Sequence, residues 1–207
     1  MTRIKCCGMT RVEDALLAAH LGADAIGLVF TARSRRQVAL ARAREIVAAL
    51  PPFVSSVALF MDDEVSLVRQ VIEEVQPDML QFHGSEKEDW CVQFGRPFLK
   101  AIAMGEGTAA LSRLHDYAHA AGLLLDGHGF GEAGGSGKGF DWSLLPAGLA
   151  QPVVLAGGLN PDNVADAVRA VRPWAVDVAS GVESAPGIKD PHKLAAFIRA
   201  VRATDAA

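Results

Sequence analysis

Along the chain, short apolar runs alternate with stretches whose apolar residues recur at helical spacing. The runs RIKCC, DAIGLVF, FVSSVALF, DMLQFH, PFLKAIA, GLLLDG, PVVLAG and WAVDVAS read as strands. Each is followed by a stretch that reads as a helix. In order these are VEDALLAAHLG, VALARAREIVAAL, EVSLVRQVIEEV, EKEDWCVQF, TAALSRLHDYAHA, DWSLLPAG, NPDNVADAVRAV and DPHKLAAFIRAVR, with a long glycine-rich loop before the sixth. The strands are short and mostly apolar, as strands covered on both faces must be. The count is about eight βα units of about 26 residues, the number that closes a barrel. The pattern therefore predicts an α/β protein, a single-domain (β/α)8 TIM barrel spanning residues 1–207, with the terminal ATDAA as a frayed tail. An open, doubly wound sheet is the alternative. Evenly spaced units without a large insertion suit closure better.

A barrel makes a sharp expectation, because its active site lies at the C-terminal ends of the strands. Chemically capable residues do fall there. Cys7 ends the first strand, His83 the fourth and Asp126 the sixth; Gly157 and Gly158 follow the seventh, Ser180 and Gly181 the eighth. Period-two alternation puts Lys5 and Cys7 on one face and Ile4 and Cys6 on the other. Cys6 is then a small apolar side chain against the helical layer. Cys7 faces the mouth, where a thiolate can act as base or nucleophile, with Lys5 placed to lower its pKa or merely to balance buried charge. Asp126 closes the run LLLD, and desolvation there would keep it protonated as an acid; the plainer role is a cap on the following loop. An acid and a base facing one pocket suit proton transfer at a sugar carbon.

The turns in LAGGLNPDNV and DVASGVE follow strands 7 and 8, where barrels frequently bind phosphate on backbone N–H groups. The glycine-rich GHGFGEAGGSGKGFDW reads as a phosphate cradle or a lid, and its His128 could approach a substrate. RSRR, residues 33–36, follows strand 2 at the same mouth and could pair with a carboxylate, although surface arginines are usually just solvated. His83 reads equally as a site residue or a structural histidine. His20, His115, His119 and His192 lie in helical patterns and carry no site signal, and Cys91 reads as packing.

Composition narrows the function classes. A formal net charge of −4 gives no support to nucleic-acid binding. No apolar run has the length of a membrane span, and the strand-like TRIKCC leaves no room for a secretory leader. Cys6, Cys7 and Cys91 form an odd set without CxxC or zinc-ligand spacing, so the expectation is a cytoplasmic protein with no metal and no redox cofactor.

The ordered motifs resemble those of phosphoribosylanthranilate isomerase, a (β/α)8 enzyme of tryptophan biosynthesis, over nearly the full length. KCCGMT is similar to the family opening K-[IV]-C-G-[IL]-T, FTARSRR to F-x-x-x-S-P-R, and VALF and QFHGSE to V-G-V-F and Q-L-H-G-x-E; LLLD, GGSGKGFDW, LAGGLNPDNV and DVASGVESAPGIKD follow in the family's order. The resemblance implies the Amadori rearrangement of N-(5'-phosphoribosyl)anthranilate to 1-(2-carboxyphenylamino)-1-deoxyribulose 5-phosphate, without a cofactor. It implies Cys7 as general base and Asp126 as general acid. Arg36 would lie at the anthranilate carboxylate and Asp177 near the sugar. His83 would bind substrate, and Gly157, Gly158, Ser180 and Gly181 would sit at the phosphate. The implied partners are a small phosphorylated molecule and, in a homodimer, a second copy; a monomer fits equally.

The sequence departs from the pattern at four places. Arg35 replaces a proline, which leaves two adjacent arginines to choose between; Phe82 replaces a leucine, Ser136 a threonine and Cys6 an aliphatic residue. Other phosphate-binding barrels fit less well. A ribulose-phosphate epimerase needs metal-binding histidines at the strand ends, where only His83 stands, and the isomerase of histidine biosynthesis places an aspartate where Cys7 is. A catalytically silent ligand-binding barrel is the rival from a different class, and Cys7 together with Asp126 argues against it.

Overall fold

A computed structural model describes residues 1–127, 140–145 and 149–205. Eight parallel strands close into a barrel in sequence order: β1 Arg3–Cys6, β2 Ala25–Val29, β3 Ser55–Phe60, β4 Met79–Phe82, β5 Phe98–Ala103, β6 Gly122–Asp126, β7 Val153–Leu155 and β8 Ala175–Val178. Closure is a parallel pairing of β1 with β8, with Lys5 opposite Asp177 and Cys6 opposite Val178. Helices α1 Val12–Leu21, α2 Leu40–Ala49, α3 Val65–Glu74, α4 Glu88–Val92, α5 Val164–Val171 and α6 Pro191–Asp205 lie between the strands and after the last.

Alternation along the strands sorts the side chains into two layers. Ile4, Cys6, Ile26, Leu28, Phe60, Leu80, Phe82, Leu123 and Leu125 point outward into one cluster under the helices. Inside the barrel a lower cluster of Leu99, Ala101, Leu124, Val154, Ala156 and Ala175 supports an upper one of Cys7, Val29 and Leu59. The upper cluster forms the floor of the mouth.

Four features differ from the sequence reading. The described residues of DWSLLPAG, expected as the sixth helix, carry only a 3-10 turn, Trp142–Leu144. The segment after β5 is not an α-helix but a 3-10 segment, Met104–His115, broken at Gly107, whose φ of 61° and ψ of −133° suit only glycine. The stretch expected as a helix, TAALSRLHDYAHA, begins just after that glycine and is 3-10 as far as His115. An antiparallel hairpin, β9 Glu183–Ala185 with β10 Ile188–Lys189, follows β8 and was not anticipated. The chain end is helical to Asp205, whose Oδ1 accepts a hydrogen bond from Thr2 N at 2.8 Å, so the expected frayed tail is tied to the first strand as far as that residue. Helix α6 starts where its sequence dictates. Pro191 takes the first position, and Asp190 Oδ1 accepts from His192 N and Lys193 N at 2.9 and 3.1 Å.

Most of the glycine-rich loop, with His128 and Ser136, lies outside the described residues. Among the described residues no helix is long and apolar enough to cross a membrane.

Candidate active site

At the C-terminal mouth of the barrel one pocket is bordered by Cys7, Arg36, His83, Asp126, Gly157, Gly158, Asp177 and Ser180. These eight come from six different strand ends, and all were anticipated. Gly181 is not in the wall but directly behind it. A Cβ there would collide with the Leu159 carbonyl oxygen, so glycine lets the loop after β8 cross the loop after β7. Exposed Arg35 is not in the wall either.

Cys7 follows β1, and its N–H donates to Val178 O at 2.8 Å, which continues the closing ladder by one residue. The side chain points inward, as alternation requires, while Cys6 is sealed in the outer layer and burial pushes its thiol up to about 12. Gly27 on β2 is the residue that makes room: a Cβ there would lie 2.7 Å from Cys7 Sγ. Below the thiol, Lys5 Nζ pairs with Asp177 Oδ1 at 3.0 Å, both buried. Burial works to lower the Lys5 pKa, and Asp177 and Cys7 more than reverse it, so the ammonium is held above its ordinary value. Lys5 does favour the Cys7 thiolate, as expected. Burial outweighs it, and Asp177 opposes it, so the Cys7 pKa is raised overall rather than lowered.

Asp126 ends β6 with its carboxylate 3.5 Å from His83 Nε2, both buried. The carboxamide of Gln81 hydrogen-bonds His83 Nδ1 at 3.0 Å. Gln81 is fully buried and also borders the pocket, and its Oε1 has no partner among the described residues. The sequence reading missed it. The signal was available, because Gln81 stands two residues before His83 and therefore on the same inward face.

Arg36 comes from the loop after β2. Its stem crosses the turn after β1 at Gly8, where φ is 75° and a Cβ would lie 2.5 Å from Arg36 Cδ. The guanidinium is already paired with buried Glu183, with Nη2 2.8 Å from Oε2. These hydrogen bonds raise the Arg36 pKa further. Burial pushes Glu183 up, but Arg36 and Lys189 outweigh it and hold its carboxyl below the ordinary range. Glu183 and Lys189 were not singled out in the sequence.

At the remaining edge, Gly157 and Gly158 take φ values of 81° and 66°, conformations open to glycine at little cost. Ser180 opens a short 3-10 turn, Ser180–Val182. The backbone N–H groups of Gly157, Gly158, Ser180 and Gly181 find no acceptor among the described residues. A tetrahedral anion is the ligand such a set of donors suits.

Known proteins bear on this geometry. The model of the family described as N-(5'phosphoribosyl)anthranilate (PRA) isomerase matches residues 4–200. The N-(5'-phosphoribosyl)anthranilate isomerase of Pseudomonas paraeruginosa is 57% identical over 200 residues, which is 97% of this chain and 95% of that one. The crystal structure of phosphoribosyl anthranilate isomerase from Thermotoga maritima superposes with a TM-score of 0.91 at 41% identity, covering 98% of this chain and 100% of that one. A phosphoribosyl anthranilate isomerase in complex with reduced 1-(o-carboxyphenylamino)-1-deoxyribulose 5-phosphate gives 0.84 at 35% identity, again covering 98% and 100%. A further structure, with 98% and 99% covered and the same TM-score and identity, is of monomers generated from the dimeric isomerase of Thermotoga maritima. Matched over nearly all of its length, the chain belongs to the N-(5'-phosphoribosyl)anthranilate isomerase family.

Proposed function

We infer that this chain catalyses the Amadori rearrangement of N-(5'-phosphoribosyl)anthranilate to 1-(2-carboxyphenylamino)-1-deoxyribulose 5-phosphate in tryptophan biosynthesis. The observation that carries the assignment of roles is that Cys7 and Asp126, from separate strands, border one pocket together with the glycine turn of residues 157–158. Asp126 gives a proton to the furanose ring oxygen. The C1'–O bond breaks, and the nitrogen lone pair closes a Schiff base. The Cys7 thiolate then takes the proton from C2', and the electron pair moves to give an enolamine. Protonation at C1' and loss of the C2' hydroxyl proton yield the ketone. No electron leaves or enters the substrate, so the residues named suffice.

The rest of the wall supports positioning. His83, with Nε2 3.5 Å from Asp126 Oδ2, orients the Asp126 carboxyl group. Asp177 and the free Gln81 Oε1 are acceptors for sugar hydroxyls. Arg36 takes the anthranilate carboxylate, and the N–H groups of Gly157, Gly158, Ser180 and Gly181 take the phosphate. The partners are this small phosphorylated substrate and a second copy of the chain, as in the relative described as dimeric. The three free cysteines fit a reducing cytoplasm. The test is loss of phosphoribosylanthranilate fluorescence upon adding the purified chain. A rate proportional to enzyme supports the reading; binding without turnover would instead mark a silent barrel.

A further inference from the structure

The hairpin β9–β10 carries two buried charged side chains that take no part in proton transfer, Glu183 and Lys189. Glu183 grips one edge of the Arg36 guanidinium. Arg36 Nε donates to Oε1 at 2.9 Å and to Oε2 at 3.2 Å, and Nη2 donates to Oε2 at 2.8 Å. Gly187 N donates to Glu183 Oε1 at 3.2 Å and fixes the carboxylate in turn. A guanidinium presents five N–H groups in one rigid plane. With the Nε–Nη2 edge taken, the edge formed by Nη1 and the outer Nη2 hydrogen remains, and that edge suits a second carboxylate bound bidentately.

Charge is the other half of the arrangement. A carboxylate that gripped Arg36 alone would cancel it, and an anionic substrate would meet a neutral pair. Lys189 prevents this. Its Nζ donates to Glu183 Oε1 at 3.0 Å, Cys7 O at 2.7 Å and Ala179 O at 3.2 Å. Glu183 thus lies between two cations, and the three groups carry one net positive charge. Lys189 is sealed from solvent, and Arg36 is the member of the trio that borders the pocket. A second buried pair, Lys100 with Glu86 at 3.1 Å, shows the contrast: the Glu86 oxygens otherwise accept from the backbone of Asp62 and Gly84.

We propose that Glu183, backed by Lys189, is a positioning residue that aims Arg36 at the substrate carboxylate and leaves its charge uncancelled, so that it sets affinity for the carboxylate end without touching substrate. The inference rests on the isomerase reading and on Arg36 as the carboxylate ligand. It carries a feature that ordinary structural support would lack. Glu183 should matter only while Arg36 is present, and only for the end of the substrate that Arg36 holds.

The experiment is steady-state kinetics of the full chain with Glu183→Gln, Arg36→Ala and the double variant, together with competitive inhibition by inorganic phosphate. Glu183→Gln should raise KM roughly tenfold, through loss of a charge-assisted grip, while kcat changes less than about twofold. In the Arg36→Ala background it should cause no further loss, because the two act as one unit. The phosphate inhibition constant should not move. Glu183→Asp, which keeps the charge, should fall between wild type and Gln, and serves if the Gln variant does not fold. Three results would overturn the inference: a wild-type KM for Glu183→Gln, the same fractional loss in both backgrounds, or phosphate inhibition weakening in step with KM. Wild-type protein without turnover would instead overturn the isomerase reading.

Discussion

Replacing Gly27 with alanine puts a methyl group against the proposed base without altering any group that takes part in the chemistry. The new Cβ would lie 2.7 Å from Cys7 Sγ, 3.0 Å from Cys7 Cα and 3.2 Å from Cys7 Cβ. Comfortable separation begins at about 3.5 Å, so the sulfur must retreat by roughly 0.8 Å. Rotation of the side chain cannot relieve the clash with the Cys7 backbone. That clash falls on the spacing of β1 and β2, paired through Lys5 opposite Ala25 and Cys6 opposite Ile26. Overpacking of this kind costs about 1–3 kcal/mol, and a displacement near 1 Å in a catalytic group costs about 100-fold in rate. The variant should therefore fold, melt several degrees lower, and show a kcat reduced about 100-fold with KM little changed. The fluorescence assay measures both constants, and a thermal melt reads the stability. If kcat stayed within about twofold of wild type while the melt fell as expected, the position of the Cys7 sulfur would not govern the rate.

Other outcomes follow from the same geometry. Gly8→Ala should act on KM rather than kcat, because its Cβ would displace the Arg36 stem at 2.5 Å and a φ of 75° strains alanine by about 1–2 kcal/mol; an unchanged KM would count against Arg36 as a substrate ligand. Arg36→Ala should lower kcat/KM by roughly ten- to a hundredfold, and Arg35→Ala should have little effect, since one side chain borders the pocket and the other is exposed. A larger loss at Arg35 would reverse the assignment. Because burial raises the Cys7 pKa, the thiolate fraction of the free enzyme should grow with pH throughout the neutral range. The rate at which iodoacetamide alkylates Cys7 should climb past the ordinary thiol value of about 8.5 before levelling. A plateau already at neutral pH would mean that Lys5 prevails over burial.

Much of this architecture is readable from alternation alone. A barrel strand has one inward face, so the residue that ends the strand in phase with that face must reach the mouth. Cys7, Asp126 and His83 are found by that rule, and the same rule turns Cys6 into core. Gln81 obeys it too and could have been found. Other features have no local signature. Glu183 and Arg36 are 147 residues apart and meet only because the loop after β2 and the hairpin after β8 flank β1. The hairpin strands have three and two residues, too few to display a period. The helix expected from TAALSRLH, which begins just after Gly107, forms 3-10 turns instead, and nothing local in that stretch marks the difference. The sign of the Cys7 shift needed the three-dimensional balance of burial against Lys5.

The most direct test of Cys7 as the proton acceptor is kcat for Cys7→Ser measured beside Cys6→Val. A hydroxyl is a far weaker base than a thiolate, so Cys7→Ser should fold normally and lose roughly 10²- to 10⁴-fold in kcat, the contribution of a general base. Cys6→Val replaces one buried apolar side chain with another in the outer layer and should leave kcat near the wild-type value. Turnover that survived Cys7→Ser but was abolished in Cys6→Val would contradict the account.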